Sequence, residues 1–211
     1  MATLVNYYVG LDLGQAQDYT ALAILEQSGR DRPEYRLRHL ERLQLRTSYP
    51  DVVTYVQGLM ASEPLKRNST LIVDATGVGR PVADLLRLAK LEPIIVTIHG
   101  GDSVSAESGG FRVPKRDLVS SLQLLFQSGR LRIAEGLPMA QSLVQELLNF
   151  RVRINLKTAH DSYEAWREGQ HDDLVLAVAL AAWYAEFTRG SRGVVMGGRL
   201  HRETLRPWRS W

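Results

Sequence analysis

Cysteine is absent from the 211 residues. That excludes disulfides and thiolate zinc sites, so any metal must be held through oxygen or imidazole. Long apolar runs are absent as well. The longest, Leu174 to Ala185, is too short to cross a bilayer and follows two aspartates. No cleavable signal peptide stands at the start, so the expected setting is the cytoplasm, with no membrane partner. A Gly-x-x-x-x-Gly-Lys-Ser/Thr phosphate loop is missing too, because the turn at Gly77 and Gly79 lacks its lysine. No internal repeat is present. An apolar fraction of 45% suits a packed domain, and the net charge is only +3.

What the chain does carry is a set of aspartates at the ends of apolar runs. Asp12 stands in Gly10-Leu11-Asp12-Leu13-Gly14, Asp74 in Leu71-Ile72-Val73-Asp74-Ala75-Thr76-Gly77, and Asp172 and Asp173 follow His171. A charge at the rim of a core is tolerable only with a partner. Each aspartate alone also fits a turn or a helix start. Taken together, adjacent strand ends in an α/β sheet converge on one crevice, where such carboxylates supply hard oxygen ligands for a divalent cation. Asp18 fits either a peripheral ligand or a turn, and His171 fits either a supporting group at the metal or a half-exposed first-turn residue.

The expected elements are strands over 6–13, 20–27 and 34–45, the first two forming a hairpin. Leu37, Leu40 and Leu43 leave the third open to a helical reading. A helix opens at Ser48 and Pro50. A strand over 70–74, a helix over 81–91 and a strand over 93–98 form a parallel crossover. Residues 100–110 read as a flexible glycine-rich loop, 114–128 and 139–148 as helices, 150–166 as a strand pair, and 171–187 as a buried helix. The fold class is α/β, a mixed central sheet (first three strands antiparallel, then parallel strands) with helices on both faces. Residues 1–188 form the domain. Residues 189–211, with Arg189, Arg192, Arg199, Arg202, Arg206 and Arg209 against Glu203, form a basic tail that fits a polyanion or a solvated segment.

The segments Gly10 to Gln15, Asp18-Tyr19-Thr20-Ala21, Val73 to Gly79, Phe111 to Leu118, Asp161 to Trp166 and His171 to Val175 resemble the nuclease domain of tailed-phage terminase large subunits. The resemblance covers most of residues 4–188. It implies a ribonuclease H-like fold, shared with Holliday-junction resolvases, and an endonuclease that cuts concatemeric viral DNA during packaging. Large terminases also carry an ATPase motor, so the expectation is a nuclease domain separate from it.

The resemblance further implies two Mg²⁺ or Mn²⁺ ions held by Asp12, Asp74 and Asp173, with Asp12 bridging and Asp172 supporting. Lys115, Arg116, Arg151, Arg153 and Lys157 are the expected phosphate contacts on double-stranded DNA. In the family context the partners are the motor domain, the small terminase subunit and the portal, in the host cytoplasm. A junction resolvase, a kinase-like ATPase and a docking module with a degenerate site are the alternatives.

Overall fold

The computed structural model describes residues 5–14, 18–29, 31–77, 79–149 and 172–191. The chain opens on three strands, β1 (Asn6–Asp12), β2 (Ala21–Ser28) and β3 (Glu34–Arg42), paired antiparallel in sequence order. Helix α1 (Tyr49–Ala61) follows. Ser48 caps it by accepting from the Asp51 amide, and Pro50 sits in its first turn, where no amide is needed. Strand β4 (Ser69–Asp74) adds parallel to β1, helix α2 (Gly79–Leu88) crosses over, and β5 (Ile94–His99) adds parallel to β4. Next come β6 (Ser105–Glu107), β7 (Gly110–Pro114), α3 (Lys115–Gln127), β8 (Leu131–Ile133), α4 (Ala140–Asn149) and α5 (Asp173–Ser191). The described strands form one sheet in the order β6-β7-β5-β4-β1-β2-β3-β8.

Alternation along the strands sorts the side chains into two cores. Val9, Leu11, Leu22, Ile24, Leu71 and Val73 pack against Val52, Val53 and Val56 of α1 and Val82 and Leu86 of α2. Tyr8, Ala21, Ala23, Leu25 and Ile72 pack on the other face, with α3, α4 and α5. Residues 174–183 of α5 are all buried, as a helix apolar on every side requires. Among the described residues, no helix is long and apolar enough to cross a membrane.

Strand β3 resolves the ambiguity of its leucines. The β2–β3 register shifts between Ile24 and Leu25, so that Ile24 faces His39 but Leu25 faces Leu37. This bulge inserts Arg38 as an extra residue. Tyr35 and Leu37 before it and Leu40 after it therefore share one core. A three-residue spacing that suggests a helix is here a bulged strand, and it ends at Arg42 rather than Leu45.

The expected loop over 100–110 is corrected. Residues 105–107 and 110–114 are the antiparallel pair β6–β7, and β7 runs parallel to β5. Glycine at 110 permits this docking, since a Cβ there would overlap the Ile95 backbone. Short, exposed and polar, β6 makes a safe sheet edge. Strand β8, paired with β3, was not anticipated, because three residues carry too little alternation to read. The expected strand pair over 150–166 and the tail from 192 onward lie outside the described residues.

Candidate active site

Asp12 and Asp74 end their strands, and the parallel register makes them direct Cα partners. Both occupy the alternation of Tyr8 and Ile72, the face covered by α5. The same row continues through β2 and β3, where Asp12 pairs with Ala21 and Ala21 with Arg42.

Helix α5 runs antiparallel to β1 across this face. Its Tyr184 ring meets Tyr8 at 6.4 Å between centroids, and its Ala177 carbonyl sits over Gly10. One further turn of helix matches two residues of strand in length, which brings the first residue of α5, Asp173, toward Asp12. Asp172 is the cap of that helix, its carbonyl accepting from the Leu176 amide at 2.9 Å.

Each carboxylate has its own setting. Asp74 Oδ1 accepts from the Thr76 amide (2.7 Å) and the Thr76 hydroxyl (2.5 Å), and Thr76 Oγ1 accepts from the Ile98 amide (2.7 Å). Asp173 receives the Arg42 fork, Nε to Oδ2 at 2.6 Å and Nη2 to Oδ1 at 3.2 Å. Arg42 Nη2 also donates to Glu146 Oε1 at 2.5 Å, and Glu146 Oε2 accepts from the Val175 amide at 3.1 Å. Lys115 Nζ lies 2.6 Å from Asp172 Oδ2.

Two carboxyls of the cluster are shifted upward. Burial, then Asp74, Asp172 and Asp173, hold the Asp12 carboxyl well above the usual carboxylate range, against the opposing Lys115. Glu146 is pushed up to about 7 by burial and next by Asp173, while the Val175 amide and Arg42 oppose. Asp12, Asp74, Asp172, Asp173 and Glu146 thus gather against Arg42 and Lys115. An all-oxygen donor set of this kind fits Mg²⁺ or Mn²⁺. As the side chains stand, no three acidic or imidazole groups among the described residues form a ready ligand set. Arg42 pairs with Asp173, and Lys115 with Asp172.

Residues 9–184 match the model of the terminase RNase H-like domain. The chain belongs to this family. Two solved terminase nucleases share the fold. That of the large terminase from thermophilic phage G20c is 24% identical with a TM-score of 0.54, over 84% of this chain and 81% of that one. The human cytomegalovirus terminase nuclease domain, Mn soaked, is 14% identical with a TM-score of 0.56, over 89% of this chain and 87% of that one. The Thermus thermophilus RuvC structure reaches a TM-score of only 0.43, too slight a likeness to bear on function. No curated protein matches the chain. The mixed sheet with antiparallel β1–β3 and parallel β4 and β5 is the RNase H-like architecture of the terminase domain.

The fold therefore brings Asp12, Asp74, Asp172 and Asp173 to one edge, with Lys115 beside them through Asp172. Arg116 lies on an exposed flank, bonded to the Asp102 carboxylate at 2.6 Å and its carbonyl at 2.7 Å. Asp18 is exposed and lines a cleft of about 500 Å³ with Gly14, Thr20, Ser48 and Tyr49. Arg151, Arg153, Lys157 and His171 lie outside the described residues. Sequence reasoning missed Thr76, Arg42 and Glu146. The signal for Glu146 was an acid beside Leu143 and Leu147 on the apolar side of a helix, and for Thr76 a hydroxyl two residues after a strand-end aspartate.

Proposed function

We propose that this terminase domain is a divalent-metal-dependent endodeoxyribonuclease that cuts concatemeric viral DNA during genome packaging. The observation that carries it is the pairing of Asp12 with Asp74 at the ends of two parallel strands, beneath the aspartates that open α5. Family membership and the manganese-soaked viral relative support the same chemistry.

Asp12, Asp74 and Asp173 would hold two Mg²⁺ or Mn²⁺ ions, with Asp172 supporting and Asp18 peripheral. Such ions, when bound, activate water and stabilise the attacking and leaving oxygens of an in-line displacement at phosphorus. The chain's own residues supply aim and charge. Thr76 fixes the rotamer of Asp74, so that one ligand is set before substrate arrives. The gathered carboxylates would repel a phosphate until a cation offsets them, which would make DNA engagement depend on the cation. Lys115 and Arg116, with Arg151, Arg153 and Lys157, would grip the phosphate backbone without reading bases, and His171 would support the α5 aspartates. Residues 1–188 form the nuclease domain in this proposal, and the basic residues 189–211 a tail that adds non-specific DNA affinity. The motor domain, small terminase subunit and portal would deliver double-stranded DNA to it in the host cytoplasm.

The test is plasmid cleavage with Mn²⁺, Mg²⁺ or EDTA. Cutting is expected only with metal, and Asp12→Asn or Asp74→Asn should lower it on the order of a hundredfold or more, a loss of several kcal/mol of transition-state stabilisation. Undiminished cutting by either variant removes that residue from the site. Cutting in EDTA overturns the metal assignment.

A further inference from the structure

The geometry points to Arg42 and Glu146 as a positioning pair for Asp173, which rests on the metal-nuclease reading above. Three elements distant in sequence converge to make it: the end of β3, the middle of α4 and the first turn of α5. Arg42 shares its row with Asp12, and only Ala21 stands between them. A methyl group at that place leaves room for a guanidinium to lean over the sheet toward α5.

Arg42 meets both oxygens of Asp173, which fixes the plane of that carboxylate as well as its position. Each carboxylate oxygen has two lone pairs, so a hydrogen bond from Arg42 does not by itself bar that oxygen from a cation. Arg42 is itself fixed on two sides, by Glu146 at 2.5 Å and by the Tyr19 ring, whose centroid lies 4.9 Å from Cζ. Glu146 then reaches past Arg42 to the Val175 amide. One buried acid on α4 therefore holds both the side-chain partner of Asp173 and the backbone turn that carries it.

A purely stabilising role explains the arrangement poorly. Two carboxylates share one guanidinium, with Glu146 9% exposed and Asp173 5%. Replacing such groups with apolar side chains often stabilises a fold. The arrangement suits an edge that a divalent cation completes, with Arg42 and Glu146 behind the ligand as its aiming contacts.

The test measures Mn²⁺ affinity of the full chain by titration calorimetry, alongside plasmid cutting, for wild type, Arg42→Ala, Arg42→Lys, Glu146→Gln, Asp173→Ala and the Arg42→Ala/Asp173→Ala pair. Arg42→Ala and Glu146→Gln should each weaken Mn²⁺ binding about 10–100-fold. Lys keeps the charge but not the fork, so Arg42→Lys should recover only part of it. Added guanidinium ion should restore binding to Arg42→Ala and leave Asp173→Ala unchanged. In the Asp173→Ala background, Arg42→Ala should cost nothing further, since the two act as one unit. Where Arg42→Ala fails to fold by circular dichroism, Arg42→Lys and Glu146→Gln decide alone. Wild-type affinity in the single variants, or a full additional loss in the double variant, overturns the pair while the nuclease reading stands. Absence of Mn²⁺ binding by wild type overturns both.

Discussion

Gly10 of β1 lies beneath the Ala177 carbonyl of α5, so near that a Cβ at this position would overlap the helix backbone. The closeness of that approach sets the height of α5 above the sheet and, one turn earlier, the place of Asp173 above Asp12. A side chain at position 10 would have to lift the helix.

Gly10→Ala should therefore destabilise the domain by about 1–3 kcal/mol, the usual range for overpacking, and lower metal-dependent cleavage with it. Gly58→Ala is the matched control. Gly58 lies inside α1 with open space around its would-be Cβ, and should stabilise by about 0.5–1 kcal/mol. Urea denaturation of both variants checks the pair, and equal effects would refute the close-approach account.

Thr76→Val keeps the shape of the side chain but strips Asp74 of a donor and the Ile98 amide of its acceptor. The expected cost is about 1–3 kcal/mol for the unmade bonds, with a drop in cleavage as Asp74 gains rotational freedom. Thr76→Ser retains both bonds and should behave as wild type in both measurements. If Val and Ser are indistinguishable, Thr76 does not position Asp74.

In EDTA, stability should peak on the acid side of neutrality. Glu146 titrates at about 7 in the folded chain against ~4.3 unfolded, so the folded state binds that proton more tightly. Its contribution is complete below the unfolded value and is lost as pH rises through about 7. Glu26 has the opposite sign. The Arg38 hydrogen bond, helped by Arg36 and opposed by burial, lowers its pKa, so its contribution exists above the ordinary glutamate range and disappears as pH falls through the lowered value. Thermal midpoints against pH should show Glu146→Gln flattening the neutral limb and Glu26→Gln only the acid limb. An unaltered neutral limb in Glu146→Gln would contradict the assignment.

Much of the site was legible because its signals are local. An apolar run that ends in Asp12 or Asp74 just before glycine marks a strand edge, and Asp172-Asp173 ahead of an all-apolar stretch marks a helix start. Arg42 and Glu146 carry no such mark. The face Arg42 presents depends on a bulge at Arg38, and the period-two rule fails wherever an extra residue enters one strand. Glu146 looks like a solvent acid until α4 docks on α5. The hairpin over 105–114 reads as loop because its residues are small and polar, and its pairing energy comes from β5, not from its own pattern.

By itself the amino-acid sequence determined the longer elements, their apolar faces and which aspartates stand at the edges of the core, since these follow from repeat spacing and backbone chemistry over a few residues. Only the tertiary structure decided that Asp12 and Asp74 are register partners, that glycine at 10 lowers α5 onto them, and that Arg42 and Glu146 hold Asp173. Contacts between residues as distant as 42 and 173 depend on register, bulge and helix height together, and no short stretch of chain contains all three.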